Sequence, residues 1–123
     1  MRIELRDYKE LNVWRKAVEL ATDTYKLTKG FPETEKYRMT SQIRRAGTSV
    51  PANIAEGWGR GSTKEYIQHL TIARGSLLEL ETHLIVSRNL NYMSEGQFEE
   101  FEKPLQDIGK MLNRLIASLR SLR

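Results

Sequence analysis

The chain has 123 residues and a mass of 14.3 kDa, with 39% hydrophobic and 29% charged residues, enough for one domain with a core of its own. It has no cysteine, which excludes disulfides, thiolate metal sites and cysteine nucleophiles. The net charge is +4 with a pI near 9.5, and the excess is local: from Glu35 to Arg74 seven cations stand against three acids, while the rest of the chain balances at thirteen of each.

A localised positive excess points to an anionic partner, of which nucleic acid is the commonest. No apolar run approaches the roughly 20 residues that a membrane helix needs. The opening MRIELRDYKEL is charged throughout and lacks the apolar stretch of a secretory signal. A cytoplasmic protein without membrane attachment is expected.

No segment alternates apolar and polar residues for long, and no Asn-Gly or Asp-Gly turn occurs, so strands are not expected. Helical periodicity appears four times. The first predicted helix, about Leu11 to Lys29, places Trp14, Ala17, Val18, Ala21, Tyr25 and Thr28 on one face. Gly30 suits the position after its C-cap, and Pro32 suits the start of the next helix. The second, roughly Thr34 to Glu56, turns Tyr37, Met39, Ile43, Ala46, Val50 and Ile54 inward. It contains Pro51, whose ring presses on the Gly47 carbonyl and removes one backbone hydrogen bond. Because the apolar pattern keeps its phase across Pro51, a kink rather than a break is expected. Thr48 and Ser49 stand where their hydroxyls could satisfy freed backbone groups.

The third predicted helix opens with STKE, a capping box in which Ser62 caps and Glu65 reaches back. Tyr66, Leu70, Ala73, Leu77, Leu80 and Leu84 follow at spacings of four and three. The fourth opens with a second capping box, SEGQ, from Ser94 to Gln97. Its seam is regular: Phe98, Phe101, Leu105, Ile108, Leu112, Leu115, Leu119 and Leu122, with Pro104 an irregularity in the early turns. Such a seam calls for partner helices at a shallow crossing angle. The expected fold is all-α, an antiparallel up-down-up-down four-helix bundle over residues 1–123, one domain, with a Pro-kinked second helix.

No catalytic or metal constellation stands out. A di-iron bundle needs Glu-x-x-His twice, but the residues three before His69 and His83 are Tyr66 and Leu80. Along one helix those histidines are also about 21 Å apart, too far to share an ion. GWGRGSTK is glycine-rich and leads into a helix, yet it has neither the Gly-Lys-Ser/Thr order nor the preceding strand of a phosphate-binding loop. Two readings remain for it: a plain interhelix loop, or free amides at the start of the third helix that hold one phosphate beside Arg60 and Lys64. Asn53 and Glu56 suit a buried polar network that fixes geometry rather than reacts. Trp58, on a polar glycine-rich stretch, fits either a neighbouring subunit's pocket, the preferred reading, or a stacked base.

The central stretch FPETEKYRMTSQIRRAGTSVPANIAEGWGR, Phe31 to Arg60, with YIQHLTIARGSLLELETHL, Tyr66 to Leu84, resembles the four-helix-bundle proteins encoded in intervening sequences of bacterial 23S ribosomal RNA genes. It is also similar to the related accessory variability protein of diversity-generating retroelements. The resemblance implies a homopentamer with a basic surface and a nucleic-acid-binding role, without catalysis or cofactor. The retroelement relative adds a reverse transcriptase as a possible partner.

Carried over by position, Arg44, Arg45, Arg60, Lys64 and Arg74 become nucleic-acid contacts. Pro51, Asn53, Glu56, Gly57 and Trp58 become structural residues of the kinked helix end and the subunit contact. Met39 and Gly47 stand where the family pattern leads one to expect leucine and alanine. The alternative is an adaptor whose basic patch docks an acidic protein.

Overall fold

The computed structural model describes residues 7–122, so most of the charged opening segment lies outside the described residues. A short 3-10 turn, Tyr8–Glu10, leads into α1 (Asn12–Thr28). A second 3-10 turn, Glu33–Glu35, precedes α2 (Met39–Gly59), and α3 (Thr63–Asn89) and α4 (Glu95–Arg120) follow. The described residues contain no strand. The four helices pack around one apolar core. The contact of α2 with α3 is the most extensive, and α1 closes the bundle against α4.

Local signals set the helix ends. Ser62 Oγ accepts from the Glu65 amide, and the Glu65 carboxylate takes the Ser62 hydroxyl proton's hydrogen bond rather than reaching the backbone. At α4 the full reciprocal capping box forms, Ser94 Oγ with the Gln97 amide and Gln97 Oε1 with the Ser94 amide. The stop of α3 is set by Asn91, in the left-handed region at φ 63°. The Tyr92 amide then reaches back to the Ser87 carbonyl in a Schellman-type closure. Gly61, at φ 82°, follows the end of α2, where the Arg60 amide donates to the Gly57 carbonyl.

Several helix faces differ from those expected. In α1 the core side is Val13, Ala17, Leu20, Ala21, Thr24 and Thr28, while Tyr25 is 43% exposed and Trp14 and Val18 are only half-buried. Pro32 starts the 3-10 turn and α2 begins seven residues later, so Tyr37 sits in the turn before α2 and is 85% exposed rather than inward. In α4 the seam follows the expected positions except that Ile116 is buried in place of half-buried Leu115, and Leu122, past the helix end, is exposed. A straight helix of 3.6 residues per turn drifts off a strict seven-residue repeat.

Helix α2 runs on through buried Pro51 to Gly59, three residues past the expected end. The hydroxyls upstream of Pro51 serve other groups than the one it frees. Thr48 donates to the Arg44 carbonyl at 2.9 Å, and Ser49 pairs with Ser76 of α3 at 2.8 Å. Pro104 likewise lies within an unbroken α4, half-buried where α4 meets Leu20 of α1.

Candidate nucleic-acid interface

The contact of α2 with α3 is polar on one flank. Asn53 Nδ2 donates to the Ser49 carbonyl at 2.9 Å and lies 3.0 Å from Ser49 Oγ, so its Oδ1 is turned to His69 Nδ1 at 3.1 Å. With the amide nitrogen committed to Ser49, that oxygen accepts, and His69 carries its proton on Nδ1. These contacts step backward along α3 as they step forward along α2: Ser49 meets Ser76, Asn53 meets His69, and Gly57 abuts Tyr66 and His69. A Cβ on Gly57 would lie 2.7 Å from His69 Cβ, so the close approach needs glycine there.

Glu56, expected beside Asn53 in a buried network, is instead exposed and paired with Arg60 at 2.6 Å. The Arg60 hydrogen bond holds the Glu56 carboxyl below its ordinary pKa, and the same bond raises that of Arg60. Trp58 is not on a loop. It lies in the last turn of α2, half-buried against the core, with the Tyr8 ring 6.2 Å away and Tyr8 edge-on to Trp14 at 5.2 Å. The chain's own first turn therefore supplies partners for Trp58, and its presence no longer argues for a neighbouring subunit.

The five cations singled out in the sequence do not form one patch. Arg60 and Lys64 flank the α2–α3 connection, where Glu56 and Glu65 balance their charge. Arg74 lies between α3 and α4, donating to Asn113 Oδ1 at 3.0 Å. Arg44 and Arg45 lie on α2 some 15 residues before Arg60, about 23 Å along the axis.

Arg44 is tied down. Its Nε donates to Thr28 Oγ1 at 2.9 Å, one Nη reaches the Tyr25 carbonyl at 3.4 Å, and its guanidinium lies 4.5 Å over the Tyr25 ring. It thus fastens the end of α1 to α2 through neutral groups. The Glu35 carboxylate accepts from the Met39 amide at the start of α2. Arg45 is exposed, and its guanidinium has no hydrogen bond or ion pair among the described residues, although its carbonyl accepts from the Thr48 hydroxyl.

Along the chain the charge gathers around the α1–α2 connection. From Tyr25 to Thr48 six cations stand against two acids, which equals the whole +4 of the chain. Lys36, Arg38 and Arg45 are solvent-facing there, beside exposed Tyr25 and Tyr37. Lys26, Lys29, Lys36, Arg38 and the two tyrosines were not among the sequence candidates. The signal that could have found them is the dense basic run on both sides of the turn at Gly30.

Among the described residues no group of three His, Asp or Glu side chains could hold a metal ion, and no helix is long and apolar enough to cross a membrane.

No curated protein matches the chain. A solved structure similar to it is described as a protein with unknown function from the S23 ribosomal protein family of Bacteroides thetaiotaomicron. The two are 31% identical with a TM-score of 0.76, over 85% of this chain and 97% of that one. The profile of the family described as 23S rRNA-intervening sequence protein matches residues 9–114, most of the bundle including the basic turn. The chain belongs to the 23S rRNA-intervening sequence protein family.

Proposed function

We propose that this protein is a non-catalytic nucleic-acid-binding protein that grips phosphates with the basic end of the bundle between α1 and α2. The observation that carries this reading is the coincidence of the full net charge with one 24-residue turn region, Tyr25 to Thr48, whose Lys36, Arg38 and Arg45 are open to solvent. Phosphate contacts by such cations are electrostatic and largely indifferent to sequence. The opposite end of the bundle, with Arg60 and Lys64 balanced by Glu56 and Glu65, contributes far less.

The test compares charge reversals at the two ends. Arg45→Glu is expected to weaken binding of a labelled RNA or DNA in a gel shift by tenfold or more, while Lys64→Glu changes it by less than about threefold. Equal losses would move the site away from the α1–α2 end. Binding of neither nucleic acid at low salt would leave the basic end to an acidic protein instead.

Assembly into a homo-oligomer is part of the proposal. Helix α3 carries apolar residues on its outward side, with Leu78 58% exposed and Ile72, Val86 and Leu90 also open to solvent. Exposed apolar residues set among polar ones mark a surface for protein contact. Light scattering is expected to give several times 14.3 kDa, and a monomer at micromolar concentration would remove assembly from the reading. Repetition of a modest basic site through an oligomer raises affinity by multivalency.

A further inference from the structure

Tyr37 lies 85% exposed in the turn before α2, an unusual place for a large aromatic ring with no packing role. The Lys36 ammonium stands 5.6 Å from its centroid, and Lys36 and Tyr37 together line an open groove against α2. Arg44 and Arg45 of α2 line it as well, flanked along the helix by Ser41 and Thr48. Tyr25, 43% exposed, forms the far wall and is capped by the Arg44 guanidinium. The groove thus alternates flat π surfaces with positive charge.

A duplex could use only the charge, because its bases are stacked on one another. A single strand can use both, laying unstacked bases on the rings while its phosphates meet the cations. The features match that use in detail. Arg44 spends its Nε and one Nη hydrogen on Thr28 and the Tyr25 carbonyl, which holds its guanidinium over the Tyr25 ring. Arg45, whose guanidinium is free of intramolecular pairing among the described residues, is available to a phosphate.

We infer that this groove is a binding site for single-stranded nucleic acid, in which Tyr37 stacks on an unpaired base, Arg44 over Tyr25 offers a second stacking plane, and Lys36 and Arg45 hold the flanking phosphates. The inference rests on the phosphate-binding reading above and adds to it a ring contact and a preference for unpaired strands.

The test measures fluorescence anisotropy with three labelled probes: an unstructured RNA oligomer, the DNA oligomer of the same sequence, and the corresponding duplex. The site predicts that Tyr37→Ala weakens both single strands by roughly 5- to 150-fold, the range of one lost base–aromatic stack, and leaves the duplex within about twofold. Tyr37→Phe and Tyr37→Trp keep the ring and are expected to stay within about threefold of the parent on single strands. The salt slope of Tyr37→Ala stays at the parent's value, because no phosphate contact is removed, while Arg45→Ala reduces it. A tighter RNA than DNA complex in the parent assigns the ligand as RNA, and equal affinities assign it as either strand.

Tyr37 is so exposed that its replacement leaves the core untouched, and an unchanged circular dichroism spectrum verifies this. If the parent binds single strands but Tyr37→Ala binds them equally well, or Tyr37→Phe fails like Tyr37→Ala, the stacking site is overturned while phosphate binding stands. Absence of binding to all three probes at low salt overturns both.

Discussion

Gly57→Ala tests how closely α2 and α3 are fitted. A Cβ at Gly57 would lie 2.7 Å from His69 Cβ, 3.2 Å from Tyr66 Cδ1 and 3.3 Å from the Tyr66 carbonyl oxygen. None of these atoms is the free end of a flexible chain: one is backbone, and the others are held close to it within α3. Ordinary contact begins near 3.4 Å, so α3 must move back by most of an ångström. Overpacking of this kind costs about 1–3 kcal/mol. Alanine in a helix interior is favoured over glycine by about 1 kcal/mol, which offsets part of that, so a net loss of about 1 kcal/mol is expected. Gly75, in the middle of α3, has nothing within 4 Å of its Cβ position, and Gly75→Ala keeps the propensity gain without the clash. The two variants are therefore separated by about 2 kcal/mol. With a urea m-value of about 1–2 kcal/mol/M, this is a gap of about 1–2 M between denaturation midpoints followed by circular dichroism. Equal midpoints, or a Gly57→Ala variant more stable than Gly75→Ala, would refute the close fit.

Arg44 and Arg45, adjacent in sequence, are expected to behave differently in stability. Arg44→Ala loses two hydrogen bonds and a ring contact and is destabilised by about 1–2 kcal/mol, whereas exposed Arg45→Ala stays within about 0.5 kcal/mol of the parent in urea denaturation. The Glu56 carboxyl is expected to titrate below its ordinary value in an NMR pH titration, and Arg60→Ala to bring it back towards that value. Because the folded pKa is depressed, the stabilisation is present above the unfolded pKa. It is lost as pH falls through the folded pKa, so the advantage of the parent over Glu56→Gln fades in acid. The buried Tyr66 hydroxyl has no hydrogen-bond partner among the described residues, and Tyr66→Phe is expected to be more stable by about 1 kcal/mol. Burial pushes the Tyr66 phenol up to about 12. Its favoured neutral form thus contributes fully below the unfolded pKa near 10 and is lost as pH rises towards 12, a loss that Tyr66→Phe lacks in alkaline denaturation.

The starts of α3 and α4 were legible because caps are local chemistry: Ser62 and Ser94 act within three residues of themselves. Helix faces were less so. Thr24 reads as polar, yet its hydroxyl donates to the Ala21 carbonyl in its own helix, which lets the side chain pack against Gly47 in the core. Tyr25 reads as apolar, yet its ring is the seat of an arginine 19 residues away. Tyr37 was assigned to a helix that starts only after it, because Pro32 opens a 3-10 turn rather than α2. Trp58 looked stranded among glycines because its partner Tyr8 is 50 residues earlier. For the candidate site, the sequence exposed the local excess of charge. It could not tell which cations are tied to neighbours, since the partners of Arg44 and Arg74 are 16 and 39 residues distant.

The most direct test of phosphate binding at the basic end is the salt dependence of single-strand affinity in the unmodified protein. Lys36, Arg38 and Arg45 each neutralising one phosphate give log K against log salt a linear fall with slope of about −2 per site, steeper where an oligomer engages several sites. The triple variant Lys36→Ala, Arg38→Ala, Arg45→Ala should bring the slope per site close to zero. A slope near zero in the unmodified protein, or one left unchanged in the triple variant, would contradict phosphate recognition at the α1–α2 end.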